Sequence, residues 1–153
     1  MSSTSPIKRN SELTSLYLMS VIQFNGALFK LRDDLKALGY INLKVPQERP
    51  RCGGETLGCT SAVLEYSQEK DTVIFLADGR FHMEGAMIAN PKHTFFKYHP
   101  YEQVFTLEEY DFPEMIKQRK RAIDRCAPVP KTTVGVILGV LGRQGSQRIL
   151  EVG

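Results

Sequence analysis

Two rhythms of apolar and polar positions run along the chain. Residues 16–22 (LYLMSVI) and 72–77 (TVIFLA) are unbroken apolar runs of strand length. Runs without alternation predict strands covered on both faces. Between them Phe24, Ala27, Leu28, Leu31, Leu35 and Leu38 recur at helical spacing, so residues 23–38 read as a helix with one apolar stripe, stopped by Gly39. Residues 41–45 alternate as a short strand does, and 46–61, rich in Pro, Gly and Arg, read as a loop. Asp78-Gly79 breaks the second apolar run. A short helix is expected over 81–89, ended by Asn90-Pro91, then a strand over 94–98 closed by His99-Pro100, and a short edge strand over 104–107. The longest helix is expected over 112–127, basic on one side through Lys117, Arg119, Lys120, Arg121 and Arg125.

Strands alternate with helices, which predicts an α/β fold: a parallel sheet with helices on both faces. Pro128 and Pro130 then act as a linker. Residues 132–141 (TTVGVILGVL) predict one further strand, turned by Gly142-Arg143-Gln144-Gly145 into a helix with Ser146 as its N-cap. A lone strand-helix unit cannot bury both of its faces. This last piece is therefore expected to belong to a longer architecture or to need a partner subunit.

Composition narrows the class without naming a function. The chain has 153 residues, 42% hydrophobic and 24% charged, which excludes collagen, low-complexity disorder and a disulfide knot. The longest apolar run, 134–141, is too short to cross a bilayer, and the first residues carry no apolar secretory core. The net charge of +3 is too mild to argue for nucleic acid. Three cysteines, Cys52, Cys59 and Cys126, point to a reducing compartment. Cys126 falls in a helical pattern and reads as a small buried hydrophobe. Cys52 and Cys59 stand further apart than the usual zinc pair.

Ligands of open parallel sheets sit beyond the carboxyl ends of the strands. Gln23 follows the first strand, 46–61 the second, Asp78-Gly79-Arg80-Phe81-His82 the third, and 142–146 the last. The glycine-rich turn at 142–145 would aim backbone N–H groups and a positive dipole end at an anion, with Arg143 as a charged donor. It could equally be a tight turn with no ligand. Arg80 and His82 could meet a carboxylate or ribose, or could be a solvated arginine and a helix-capping histidine. His93 and His99 read as surface residues, and the basic helix as a solvated face. The thiol of Cys59 could be a nucleophile, a metal ligand or inert. One cysteine cannot fill an iron–sulfur site, which needs three or four ligands.

Four blocks together resemble the diphthamide biosynthesis family: Leu-Gly-Cys-Thr-Ser (57–61), Asp-Gly-Arg-Phe-His-Met-Glu-Gly-Ala-Met-Ile-Ala-Asn-Pro (78–91), Tyr-His-Pro-Tyr (98–101) and Ile-Leu-Gly-Val-Leu-Gly-Arg-Gln-Gly (137–145). Val-Ile-Gln-Phe (21–24) and Val-Pro-Gln (45–47) fit the same family. The resemblance implies a Rossmann-like domain from an architecture of three similar α/β domains, each giving one cysteine to a central [4Fe–4S] cluster. Cys59 is then the middle domain's ligand, and Cys52 and Cys126 match no ligand position. The fourth iron position is left for S-adenosylmethionine, with Gly142, Arg143, Gln144, Gly145 and Gln23 near it and Arg80 and His82 as catalytic candidates. The implied reaction moves the 3-amino-3-carboxypropyl group of S-adenosylmethionine, as a radical, to one histidine of elongation factor 2. The implied partners are a second synthase subunit, in a heterodimer, elongation factor 2 and an electron donor protein, in the cytoplasm, with no direct nucleic acid and no membrane. On this reading 1–13 is a disordered segment, 14–127 the middle domain, 128–131 a linker and 131–153 the start of a third domain. Two alternatives stay open: a catalytically inactive truncated homologue that at most binds a partner subunit, and an unrelated nucleotide-binding α/β module.

Overall fold

The computed structural model describes residues 15–58, 60–67, 71–126 and 137–138. The chain divides into two compact units, 1–113 and 114–153. The first holds a five-stranded sheet built from β1 (Leu16–Ser20), β2 (Leu43–Lys44), β3 (Thr72–Leu76), β4 (Thr94–His99) and β5 (Val104–Glu108), in the order β2-β1-β3-β4-β5. The pairs β1/β2, β1/β3 and β3/β4 are parallel, and β5 runs antiparallel along β4. The α/β fold with a mostly parallel sheet stands, with one antiparallel edge.

Two helices serve the sheet, α1 (Asn25–Ala37) and α2 (Phe81–Ala89). The crossover β1-α1-β2 steps one way along the sheet and β3-α2-β4 steps the other way. Parallel crossovers are right-handed, so the two helices lie on opposite faces. Leu18, Leu28, Val73, Phe75, Met83 and Phe95 form the centre of the core and are almost wholly buried. The order reverses between β1 and β3, and the carboxyl ends of these two strands flank the resulting crevice.

Helix α1 starts later than the apolar stripe suggests, because Ile22–Phe24 forms a single 3-10 turn before it. It stops where expected. Gly39 takes φ +91°, its N–H bonds the Lys36 carbonyl, and the Tyr40 N–H reaches back to Leu35. These two bonds are the Schellman pair that satisfies the last carbonyls of a helix. Strand β2 is shorter than expected. After Lys44 the chain leaves the sheet and returns at Glu55, which pairs with Ser20 at the end of β1.

Helix α3 (Phe112–Cys126) leads into the second unit. Its apolar side is uncovered: Ile116 and Ile123 are 61% and 66% exposed. Cys126 is exposed as well, which corrects its reading as a buried hydrophobe. The stripe repeats at helical spacing, yet no residue of α3 is buried. Of the strand expected at 132–141 only Ile137 and Leu138 are described, and neither is in a strand. The turn at 142–145, the cap at Ser146 and the segment 1–13 lie outside the described residues. Among the described residues no helix is long and apolar enough to cross a membrane.

Candidate functional site

Among the described residues, the carboxyl edge of the sheet gathers the segments that follow β1, β2 and β3. The loop after β2 is built by backbone bonds. Gly54 N–H closes its excursion by donating to the Pro46 carbonyl at 2.7 Å. The loop then lies along β1, with Ser20 N–H donating to Gly54 O at 2.8 Å and Thr56 N–H donating to Ser20 O at 3.0 Å. Asn25, the first residue of α1, donates its side-chain amide to Gly53 O at 2.7 Å. Gly54 has φ +76°, and a Cβ there would stand 2.2 Å from Leu28 Cδ2, so only glycine fits this return.

Next comes the block around position 59. Cys59 itself lies outside the described residues, but its neighbours are placed. Leu57 and Thr60 exchange backbone hydrogen bonds of 3.2 and 3.0 Å. The Arg51 guanidinium bonds both Thr60 Oγ1 and the Glu48 carboxylate. Gly58 packs under the Phe81 ring and against α2, where a Cβ on Gly85 would stand 2.6 Å from the Gly58 carbonyl oxygen. Further along, Asn90 at the end of α2 takes the Leu64 N–H at 2.7 Å and donates to the carbonyls of Ala62 and Ala86 at 3.0 and 2.9 Å. The loop is therefore fastened to α2 on both sides of position 59.

Two more segments end at this edge. The Gln23 amide donates to Asp78 Oδ2 at 2.8 Å, which bridges the ends of β1 and β3. Arg80 follows β3 at this edge, and its guanidinium is engaged by three groups. Its guanidinium bonds Glu84 Oε1 at 3.1 Å, Glu109 O at 3.1 Å and the buried Glu108 carboxylate. Glu108 also meets Lys97 Nζ at 3.3 Å and the Thr106 hydroxyl at 2.7 Å. The structure thus brings Gln23, Arg80 and His82 to one end of the sheet, with the described neighbours of Cys59. Gly142, Arg143, Gln144 and Gly145 lie outside the described residues.

Among the described residues five buried side-chain atoms lack a hydrogen-bond partner: Ser20 Oγ, Arg51 Nε, Thr56 Oγ1, His82 Nδ1 and His93 Nδ1. The first four belong to segments at the carboxyl edge. An unpaired buried polar atom costs about 1–3 kcal/mol. Their concentration here marks the edge as a place where further polar partners would be stabilising. His82 does not cap α2, whose N-cap is Arg80 with no side-chain cap bond.

The histidines read as surface residues are partly enclosed. His93 sits edge-on between Tyr17 and Tyr66, with Nε2 3.2 Å from Glu65 O. His99 Nδ1 accepts the Glu102 N–H at 3.2 Å. His93 closes the turn before β4 and His99 opens the turn after it, a feature that hydropathy does not register. Near His93, the Glu65 carboxylate bonded to Lys44 holds that ammonium above its ordinary range.

Sequence reasoning missed Gly54, Gly85 and Asn90. A glycine inside a helix costs about 1 kcal/mol against alanine, so Gly85 in the apolar pattern of 81–89 was the available sign of a close backbone approach.

Donor chemistry limits what the site can hold. Cys52 is exposed, and no group of three or more His, Cys, Asp or Glu among the described residues could hold a metal. An iron–sulfur cluster takes three or four thiolates. A loop with a single cysteine could offer such a cluster no more than one of these ligands.

The family model for diphthamide synthesis proteins matches residues 3–152. Subunit 1 of 2-(3-amino-3-carboxypropyl)histidine synthase from Dictyostelium discoideum is 44% identical over 142 residues, covering 89% of this chain and 29% of that protein. The Homo sapiens subunit 1 is 45% identical over 138 residues, covering 90% and 30%. The chain thus spans about three tenths of the length of these curated relatives. The crystal structure of Dph2 from Pyrococcus horikoshii with a 4Fe-4S cluster aligns with TM-score 0.58 at 21% identity, over 73% of this chain and 32% of that one. That likeness carries the α/β fold. The family match over nearly the whole chain carries the assignment, and this chain belongs to the diphthamide synthesis protein family.

Proposed function

We propose that this chain supplies one cysteine-bearing α/β domain of the 3-amino-3-carboxypropyl transferase that performs the first step of diphthamide synthesis on a histidine of elongation factor 2. The observation that carries the reading is the loop around position 59. It stands at the carboxyl edge, is fastened to α2 through Gly58 and Asn90, and lies in a chain of this family. Residues 14–127 form the middle domain and 131–153 begin the third. The partners are a second synthase subunit, elongation factor 2 and an electron donor protein, and the compartment is the cytoplasm.

Cys59 holds one iron of a [4Fe–4S] cluster as a thiolate, and cysteines outside this chain hold the rest. When bound, the cluster supplies the electron that cleaves the Cγ–S bond of S-adenosylmethionine. The chain's own residues bind and orient. The backbone N–H groups of 142–145 and the Arg143 guanidinium take the methionine carboxylate, as a glycine-rich helix start favours an anion. Gln23, steadied by Asp78, keeps its amide oxygen for a donor on the ligand. His82 Nδ1, buried and without a hydrogen-bond partner among the described residues, is left for a polar group of the ligand, whereas Arg80 is a positioning residue that ties β5 and α2 together.

The test is transfer of carboxyl-labelled S-adenosylmethionine to elongation factor 2 by the synthase assembled with this chain under reducing, anaerobic conditions. Label on the target histidine, lost when this chain is omitted, supports the reading. Equal labelling without it contradicts the reading.

A further inference from the structure

Resting on the reading of Cys59 as a cluster ligand, we infer that Gly58 and Gly85 are positioning residues. Their backbone contact sets how closely the thiol-bearing loop lies on α2, and so where that thiol is offered. The two glycines differ in what surrounds them. A Cβ on Gly85 would meet backbone first: Gly58 O at 2.6 Å, Gly58 C at 3.3 Å and Gly58 Cα at 3.5 Å. Backbone cannot rotate aside, so the loop itself must lift. A Cβ on Gly58 would meet the Phe81 ring first, its three nearest atoms being ring carbons at 2.1, 2.8 and 2.9 Å. Phe81 is 73% exposed and its ring has room to swing outward.

The contact lies next to position 59 in the chain. Neighbouring Cα atoms are 3.8 Å apart, so a loop that lifts at Gly58 carries the next residue with it. Thr60 is held on the other side by Leu57 and Arg51. The loop cannot tilt freely to restore its old position, and the displacement passes along the chain between Gly58 and Thr60. Gly26 in α1 has nothing within 4 Å of a Cβ and serves as the control.

The experiment compares Gly85→Ala, Gly58→Ala, Gly58→Ala with Phe81→Ala, Gly26→Ala and Cys59→Ala in the assembled synthase. Iron and labile sulfide are counted after anaerobic reconstitution, and the reduced cluster is read by electron paramagnetic resonance. Far-UV circular dichroism and sizing-column elution report folding. Gly85→Ala is expected to lose at least half of its iron and to show an altered resonance at unchanged helix content, while Gly26→Ala matches the parent. Gly58→Ala loses less, and Phe81→Ala restores it because the ring supplies the nearest contacts. Should Gly85→Ala not fold, the Gly58 pair decides alone. Iron and resonance equal to the parent in both single glycine variants, with Cys59→Ala depleted, overturn this inference and leave the ligand reading standing. A Gly58→Ala loss that Phe81→Ala does not restore also overturns it. Full iron in Cys59→Ala overturns the ligand reading itself.

Discussion

The side-chain amide of Gln23, just past β1, donates a 2.8 Å hydrogen bond to Oδ2 of Asp78, just past β3. The bond spans the point where the strand order reverses, the place where open α/β sheets receive ligands. Replacing Gln23 by alanine removes one exposed bond to a carboxylate, worth about 1 kcal/mol. In a domain of about 100 residues that lowers Tm by about 4–8 °C. The functional reading adds a second effect: S-adenosylmethionine binds the loaded synthase roughly ten-fold more weakly, by isothermal titration, because about 1.4 kcal/mol is lost. A lowered Tm with unchanged affinity would assign Gln23 to the fold alone.

Arg80 joins the start of α2 to the end of β5, and Glu108 is its most enclosed partner at 8% exposure. Arg80→Ala leaves Glu108 with Lys97 and Thr106, so its charge stays compensated. The arginine is itself partly solvated, which screens the pair. The expected cost is about 1–3 kcal/mol. Urea unfolding of Arg80→Ala, Glu108→Gln and the double variant should show a coupling of about 0.5–3 kcal/mol. Additive costs would mean that the contact contributes nothing beyond packing.

Asn90 anchors the far side of the thiol-bearing loop with two hydrogen bonds, to Leu64 and Ala62, while a third holds it to Ala86 of α2. Asn90→Ala strands the Leu64 N–H and the Ala62 carbonyl, for a loss of about 2–4 kcal/mol. Hydrogen exchange should rise at 62–64 more than in β1. Uniform acceleration across the sheet would show that Asn90 supports the whole domain instead.

Much of this fold was legible because the strands are covered on both faces. The continuous runs at 16–22 and 72–77 sit where β1 and β3 are, and the break at Asp78-Gly79 separates β3 from α2. Gly39 was legible because only its positive φ ends α1 in this way. Strand β2 was overread. Apolar alternation at 41–45 says nothing of how long a neighbour stays within bonding reach, and the chain departs after Lys44. At the site, the loops that carry polar side chains could be named in order. Their mutual contacts could not, since Gln23 with Asp78 and Gly58 with Gly85 depend on tertiary approach. Cys126 shows the opposite failure: a helical apolar stripe implies a cover, but the pattern does not supply one.

Arg143 is the charged donor in the proposed carboxylate-binding turn. Its replacement by alanine in the assembled synthase should weaken S-adenosylmethionine binding by about 1.5–3 kcal/mol, or roughly 10- to 150-fold. Titration calorimetry on the cluster-loaded form measures this. An unchanged dissociation constant would move Arg143 to the histidine substrate, the partner subunit or the fold.

The central claim is that Cys59 is this chain's contribution to an iron–sulfur centre shared with other cysteines. Visible absorption and iron counting after anaerobic reconstitution of the assembled synthase, parent against Cys59→Ala, test it most directly. The parent is expected to be brown, and the variant to have lost most of its iron and its visible absorbance, because alanine offers no ligand. A Cys59→Ala synthase with the parent's iron content and colour would contradict it.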